Sequence, residues 1–197
     1  MHLGNWRGRR YKLGLIAVAG ALLAELDERR VAYPLLQVLP ERTGETSALM
    51  LWNGRESMCV QQFPSTQQVK HTAPFGARYS DAMSASVQVF LALEPEERVR
   101  ELMFNGTIRF AGLDEAGLEA YAVRLGDVAK RGYATNYGES ALDEVGVAAP
   151  VFDHRGHLVA AVLIPAPRFR VSPEQLANLG EAAKKCARAI TLRLGGS

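Results

Sequence analysis

The side chains that could do chemistry in this chain are few and scattered. Asp153, His154 and His157 flank a predicted hairpin turn at a spacing that a surface metal ion could use, although most such turns are only solvated. The two thiols, Cys59 and Cys186, fall in a strand pattern and a helix pattern where burial is expected, so neither indicates a nucleophile. We therefore predict no metal site and no catalytic residue among these groups.

The short motifs that usually carry catalysis or cofactor binding are also absent from the sequence. It contains no Gly-x-Gly-x-x-Gly after a strand, no Walker loop, no Gly-x-Ser-x-Gly, no His-Glu-x-x-His and no EF-hand pattern. The motifs therefore predict no cofactor.

One irregular segment is a better candidate for a site. Residues 135–144 are polar and irregular, yet they come directly before a smooth apolar strand pattern, VGVAAPVFD. Irregular segments on a rigid scaffold are often binding sites rather than connections. Residues 66–80, which include His71 and Tyr79, are rich in Gln, Thr, Gly and Pro and are predicted to be extended and irregular.

Composition indicates an ordinary globular protein. With 197 residues, 48% hydrophobic and 22% charged, the chain can bury one core without metals or disulfides. A net charge of +2 is too small to argue for nucleic acid, and the basic residues at positions 7–12 are read as a solvated terminus. The longest apolar stretch, residues 13–26, is too short to cross a bilayer, and no signal peptide is visible, so we expect a soluble cytoplasmic protein with no membrane partner.

Periodicity and turn residues predict an α+β fold in which helices cover the faces of a mainly antiparallel sheet. Asn53-Gly54 predicts the turn of the first hairpin, within SALMLWNGRESMCVQQF. The second hairpin joins VGVAAPVFD to HLVAAVLIP, and Ser172-Pro173-Glu174-Gln175 predicts the capped start of the last helix. The other predicted helices cover residues 11–30, 31–39 (broken near Pro40 and closed by Gly44), 82–93, a short segment after Pro95, and 113–131 with Gly132 as the stop.

Several segments, taken in order, resemble the effector-binding domain of the IclR family of bacterial transcriptional regulators. They begin with RRYKLG and continue through AYPLLQVLPERTGETSALMLWNG, TAPFG and a helix ending FLA. The strongest is RGYATNYGESALDEVGVAAPVFDHRGHLVAAV, and the resemblance covers the chain from about residue 9 onward. It implies a GAF/profilin-like sheet flanked by helices.

The resemblance also implies a division of the chain. Residues 1–10 would be a basic remnant of the family's wing or linker, and residues 11–197 would be the effector-binding domain. Family members usually carry a winged helix-turn-helix ahead of this point, and operator DNA would be bound only through such a domain. The chain is then either a piece of a longer regulator or a stand-alone version. Because the family pairs through these domains, a homodimer or homotetramer is expected.

Laying the family pattern on this chain gives candidate ligand contacts. The helix that faces the effector would begin over residues 84–87, which include Ala85, Ser86 and Val87. Relatives commonly have a small residue, a glycine and a basic residue there, whereas this chain has Val87 and Gln88 instead. A position that is usually acidic falls on Asn136, an apolar wall position on Glu144, and a small polar position on Gly146.

The remaining positions depart further from the pattern. Two places where relatives have small hydroxyl residues fall on Leu163 and Pro165, and three places that are usually apolar fall on Gln68, His71 and Tyr79. Lost hydroxyls would leave a carboxylate without charge-assisted hydrogen bonds, each worth about 1.5–3 kcal/mol. We therefore expect an organic effector, for example an aromatic one, rather than a small keto acid such as pyruvate.

Two other functions fit the same residues. His71, Tyr79, Ser86 and Glu144 could converge to supply acid–base catalysis, which would make the chain a stand-alone enzyme acting on a small organic substrate. A third hypothesis is a truncated paralogue that forms mixed oligomers with a full-length regulator. No catalytic motif is complete, so the sensor is the leading hypothesis and the enzyme is the alternative.

Overall fold

The computed structural model describes residues 27–196, so the basic segment 1–10 and most of the helix predicted over residues 11–30 lie outside the described part. The elements follow the order helices, hairpin, helices, second sheet segment, helix. They are α1 (Asp27–Gln37), α2 (Leu39–Thr43), β1 (Ser47–Trp52), β2 (Ser57–Phe63), β3 (Arg78–Tyr79), α3 (Ala85–Leu91), α4 (Glu96–Phe104), α5 (Glu115–Arg131), β4 (Ala134–Tyr137), β5 (Glu144–Phe152), β6 (Leu158–Pro167), a 3-10 turn (Arg168–Arg170) and α6 (Pro173–Arg193).

The six strands form one sheet in the order β3-β2-β1-β6-β5-β4, and every neighbouring pair is antiparallel. Asn53 makes the first hairpin turn, because its side-chain oxygen accepts from the backbone N–H groups of Arg55 and Glu56 while Gly54 adopts a φ of 85°. The predicted α+β class with an antiparallel sheet is confirmed.

Both faces of this sheet are buried. Successive residues of a strand point to opposite faces, so Val145, Val147 and Val151 of β5 lie on the side covered by α1 and α6. Ala148, which directly follows Val147, packs on the other side, with residues of α3. The central strand therefore reads as apolar along most of its length, and the α3 side is the one that carries the positions predicted to bind ligand.

Helix ends follow the predicted local signals. Ser172 and Gln175 form a capping box at the start of α6, where Pro173 occupies the first turn. Asp114 caps α5 through the backbone N–H of Gly117, and Gly132 ends that helix in the left-handed conformation. Burial of both cysteines is also confirmed.

Two predicted boundaries near the start are wrong. Residues 31–39 were predicted as a separate helix, but α1 continues from Asp27 to Gln37, because Ala32 and Leu36 share one buried stripe. The charged residues 27–30 therefore lie inside this helix and do not end one. Past Val38, a separate short helix carries Pro40 in its first turn and closes at Gly44, as the glycine predicted.

The irregular segment 135–144 is also shorter than predicted. Residues 134–137 form β4, which pairs with residues 145–148 of β5, so only residues 138–143 are irregular. The pairing depends on the next strand, which follows after a six-residue turn, and it leaves little trace in the polar sequence ATNY. Similarly, the helix predicted over residues 82–93 is limited to Ala85–Leu91, because Asp81 and its bridge to Arg109 hold the preceding residues in a turn.

Packing of α6 predicts a stability difference between two helical glycines. A Cβ on Gly180 would overlap the buried ring of Tyr133, whereas a Cβ on Gly126 of α5 would meet nothing within 4 Å. Gly180→Ala should lose about 1–3 kcal/mol in the free energy of unfolding, because the ring has no room to yield. Gly126→Ala should gain about 0.5–1 kcal/mol from helix propensity.

Urea unfolding followed by circular dichroism measures both values. A Gly180→Ala variant as stable as the parent would contradict the close contact between α6 and Tyr133.

Candidate functional site

The TAPFG segment is held against the edge of β2. The backbone N–H of Gly76 donates to the carbonyl of Cys59 at 2.8 Å, and the N–H of Cys59 donates to the carbonyl of Ala77 at 2.9 Å. The thiol of Cys59 donates to the carbonyl of Ala73 at 2.9 Å. Burial raises the pKa of this thiol to about 11, so it remains a neutral donor at physiological pH.

His71 is brought to the start of β5 by the same irregular segment. The hydroxyl of Thr46 donates to the backbone carbonyl of His71 at 2.7 Å, which fixes the chain there. The imidazole lies between two carboxylates, with Nδ1 4.0 Å from Oε2 of Glu144 and Nε2 3.9 Å from Oδ2 of Asp143. The side chains of His71 and Glu144 are each 28% exposed, whereas Asp143 is open to solvent.

Glu144 lies beside His71, and its charge also acts on the hydroxyl of Tyr79. Burial raises the pKa of the Glu144 carboxyl, His71 opposes this rise, and the neighbouring charge of Asp143 adds to it. Burial also raises the pKa of Tyr79 to about 12, with further contributions from Glu144 and Cys59. The tyrosine hydroxyl is therefore protonated near neutral pH and can donate a hydrogen bond. We call His71, Tyr79 and Glu144 the polar cluster.

An apolar group lies on the same face of the sheet. Gly146 is two residues beyond Glu144 on β5, and it stands opposite Pro165 on one side and Asn136 on the other. A Cβ on Gly146 would be 3.7 Å from the Cβ of Ala85 and 3.8 Å from Cδ1 of Leu163. We call Ala85, Gly146, Leu163 and Pro165 the apolar wall.

Ser86 and Asn136 border this wall, but their polar atoms already have partners. Ser86 is fully buried, and its hydroxyl oxygen lies 3.4 Å from that of Ser84. The side-chain oxygen of Asn136 accepts from the backbone N–H of Glu139 at 2.9 Å, and its amide nitrogen contacts the hydroxyl of Ser140. Asn136 thus shapes the turn that follows β4.

Two of the predicted contact residues are not brought to this face. Val87 is fully buried on the opposite side of α3, in the cluster that contains Leu102 and Tyr121. Gln68 is exposed on the irregular segment. The structure therefore gathers the predicted positions into a polar cluster and an apolar wall, with these two residues outside.

A buried network next to the site escaped the sequence analysis. Gln88 of α3 is fully buried, and its amide nitrogen donates to the carbonyls of Met83 at 2.8 Å and Thr135 at 3.1 Å. Its amide oxygen accepts from Nε of Arg124 at 2.9 Å. Arg124 in turn donates to both carboxylate oxygens of Glu139, at 2.6 and 2.7 Å. A glutamine in the apolar helix ASVQVFL signals a buried polar group, but its partner lies 36 residues away.

Within residues 27–196, no three His, Cys, Asp or Glu side chains are grouped as a metal ion would require. In the same range, no helix is long and apolar enough to cross a membrane.

A six-stranded antiparallel sheet buried on both faces, with the polar cluster and the apolar wall on one of them, defines an α+β domain. The chain belongs to the family described as "Bacterial transcriptional regulator IclR C-terminal", whose sequence pattern matches residues 20–192. The resemblance read from the sequence is thereby confirmed, and the chain is the effector-binding domain of an IclR-family regulator.

Curated relatives with similar sequences are transcriptional repressors. The HTH-type transcriptional repressor AllR of Klebsiella pneumoniae is 28% identical over 194 residues, which cover 98% of this chain and 70% of the repressor. The repressor of the same name from Escherichia coli strain K12 is 26% identical over the same length and with the same coverage.

Solved structures extend the likeness to the fold. A crystal structure of a domain from a transcriptional regulator of the IclR family is 62% identical, with a TM-score of 0.84 over 86% of this chain and 98% of that domain. HmgR of Pseudomonas aeruginosa is 29% identical, with a TM-score of 0.76 over 93% of this chain and 73% of HmgR.

The two carboxylates near the site predict opposite pH effects. The raised pKa of Glu144 means that its contribution to stability is lost as the pH rises through that pKa, so Glu144→Gln should be more stable than the parent at neutral pH. The hydrogen bond from Arg124 lowers the pKa of Glu139, whose contribution is lost as the pH falls, so Glu139→Gln should be less stable at neutral pH.

Urea unfolding at pH 7 and at about pH 3, below the ordinary carboxyl pKa values, tests both signs. For each variant, the difference from the parent in the free energy of unfolding should be smaller at the acid pH. If both variants were more stable than the parent at pH 7, or both less stable, the environments assigned to Glu144 and Glu139 would be contradicted.

Proposed function

We propose that this domain binds an organic effector with an apolar, for example aromatic, body and a hydroxyl or amide group. The separation of the polar cluster from the apolar wall on one sheet face carries this proposal. A hydroxyl or amide could exchange hydrogen bonds with His71, Tyr79 and Glu144, while the body contacts Ala85, Leu163 and Pro165. The polar group fixes the ligand's orientation, and the wall supplies apolar contact area.

A small keto acid fits this face poorly. Its carboxylate would need several donors, but Leu163 and Pro165 offer no hydroxyl, and Pro165 also lacks a backbone N–H. If the keto acid were turned around, its carboxylate would lie near the carboxylates of Glu144 and Asp143, which would repel it. These two features favour a ligand that is neutral at the end facing Glu144.

The output of binding would be a change in DNA binding by the whole regulator. An effector whose affinity differs between two quaternary states shifts the population between them. We therefore propose a homodimer or homotetramer in the cytoplasm, with operator DNA bound through a winged helix-turn-helix domain. The curated relatives named as HTH-type repressors support this role, since the likeness covers 70% of their length.

An enzymatic role on the same face has one observation in its favour, the 4.0 Å approach of His71 to Glu144. The possible nucleophiles fit that role poorly. The raised pKa of Cys59 keeps its thiol neutral. Among the described residues, the hydroxyl of Ser86 contacts that of Ser84 and no base. The sensor remains the better supported proposal.

Ligand class is testable by thermal shift with the 197-residue chain. Phenol, benzamide and para-hydroxybenzamide represent the proposed class, and pyruvate and glyoxylate represent small keto acids. At least one aromatic compound should raise the melting temperature, because a ligand that binds only the folded state stabilises it, and it should be recovered chemically unchanged.

A matched pair of variants locates the binding. Gly146→Val fills the space between Ala85 and Leu163 and should abolish the shift, whereas Gly126→Val on α5 should preserve it. Stabilisation by pyruvate and by none of the aromatic compounds would refute the proposed class, and consumption of the ligand would favour the enzyme.

A gain of function tests the role of Pro165. Pro165→Ser restores a hydroxyl and a backbone N–H beside Gly146, so pyruvate affinity should rise about tenfold, as expected for one charge-assisted hydrogen bond of about 1.5 kcal/mol. Ala166→Ser, on the opposite face, should leave the affinity unchanged. Isothermal titration calorimetry measures both, and an equal change in the two variants would argue against Pro165 as a ligand contact.

A further inference from the structure

A second cleft lies beside α5 and shares no residue with the polar cluster or the apolar wall. Its volume is about 550 Å³, and its walls come from α5, from the turn before α3 and from residues 110–112. Clefts of about 300–1,000 Å³ are typical of sites for small organic ligands. The cleft is therefore of a size to hold one such molecule.

The floor of this cleft is apolar and partly aromatic. The rings of Phe110 and Tyr121 meet with their centroids 5.0 Å apart at an angle of 47°. Met83 and Ala120 also line the cleft, and so does Val123, which is 67% exposed. The hydroxyl of Tyr121 is already engaged, since it donates to the carbonyl of Ala82 at 2.6 Å. This tyrosine therefore contributes its ring to the cleft and has no free proton donor to offer an anion.

Negative charge dominates the rim. Asp81, Asp127 and Glu139 line the cleft together with a single guanidinium, that of Arg124. Arg124 and Glu139 neutralise each other through two hydrogen bonds. Two carboxylates remain, and of these Asp127 has no ion pair among the described residues.

The other carboxylate is only weakly compensated. Asp81 accepts a hydrogen bond from the backbone N–H of Met83 at 2.9 Å, and its second oxygen lies 3.9 Å from the exposed guanidinium of Arg109. Such an exposed, long contact neutralises little charge. The cleft thus combines an apolar floor with an electrostatic potential that favours cations.

We propose that this cleft binds a small organic cation, an ammonium group attached to an apolar body. Carboxylates attract the ammonium, and the aromatic rings of Phe110 and Tyr121 add apolar contact area and cation–π attraction. Organic anions of the same shape are excluded by Asp81 and Asp127. The site is separate from the proposed effector site, so a failure of either proposal leaves the other standing.

A pair of isosteric probes of opposite charge tests the chemistry. Phenethylammonium and phenylpropionate have similar bodies, so their difference in affinity reports the charge preference. Titration of the 197-residue chain, followed by the methyl NMR signals of Met83, Ala120 and Val123, should show saturable binding of phenethylammonium at millimolar concentrations. Phenylpropionate should bind with an affinity at least about tenfold lower, as measured from the same signals.

Variants assign the binding to the carboxylates. Asp127→Asn should weaken phenethylammonium binding about twofold to fivefold, the range expected for one exposed charge, and adding Asp81→Asn should weaken it further. Glu119→Gln, also on α5 but outside the cleft, removes one negative charge as well. It should change the affinity by less than Asp127→Asn does.

Three results would overturn the proposal. These are equal binding of the two probes, an effect of Glu119→Gln as large as that of Asp127→Asn, and an absence of shifts at Met83, Ala120 and Val123 on titration. If a second copy of the chain filled the cleft, titration with the probe would cause no shifts, and dilution of the chain would shift the signals of the same methyl groups.

Discussion

The buried amide of Gln88 fixes how the short helix α3 sits on the sheet. A fully buried amide must find partners, and this one is satisfied by Met83 in the turn before the helix, Thr135 on β4 and Arg124 on α5. These bonds join three elements that have no regular hydrogen bonding to one another. With α3 held there, its first residue lies over Gly146, where the missing side chain leaves room for the approach. The geometry of the apolar wall follows from that contact.

The same network separates two regions of different chemistry. On the sheet side of α3, the polar cluster and the apolar wall lie next to each other on one face of the sheet, because Glu144 and Gly146 are two residues apart on β5. On the α5 side, Arg124 and Glu139 border an acidic cleft with an aromatic floor. Family membership establishes that the domain binds effectors. From the chemistry of the residues we propose an aromatic hydroxyl or amide compound at the first region and a cation at the second.

Sequence reasoning succeeded where the signal is local. The capping box at Ser172, the turn at Asn53 and the stop at Gly132 each depend on residues within one turn, so they could be read directly. Strand β4 was missed because its partner lies beyond a turn and its polar residues carry no apolar alternation. The bonds of Gln88 were missed because they depend on tertiary contacts. The resemblance named Leu163, Pro165, Gly146 and Val87 as contacts of one ligand. The structure sets the first three on one face of the sheet, whereas the direction of Val87 depended on which side of a seven-residue helix meets the sheet.

A crystal structure of the chain with the small molecule that copurifies with it tests the central claim most directly. The account predicts a ligand between Ala85 and Leu163, with a hydroxyl or amide within hydrogen-bond distance of His71, Tyr79 or Glu144. A ligand whose carboxylate lies against Leu163 and Pro165, or a ligand bound away from this face, would contradict it.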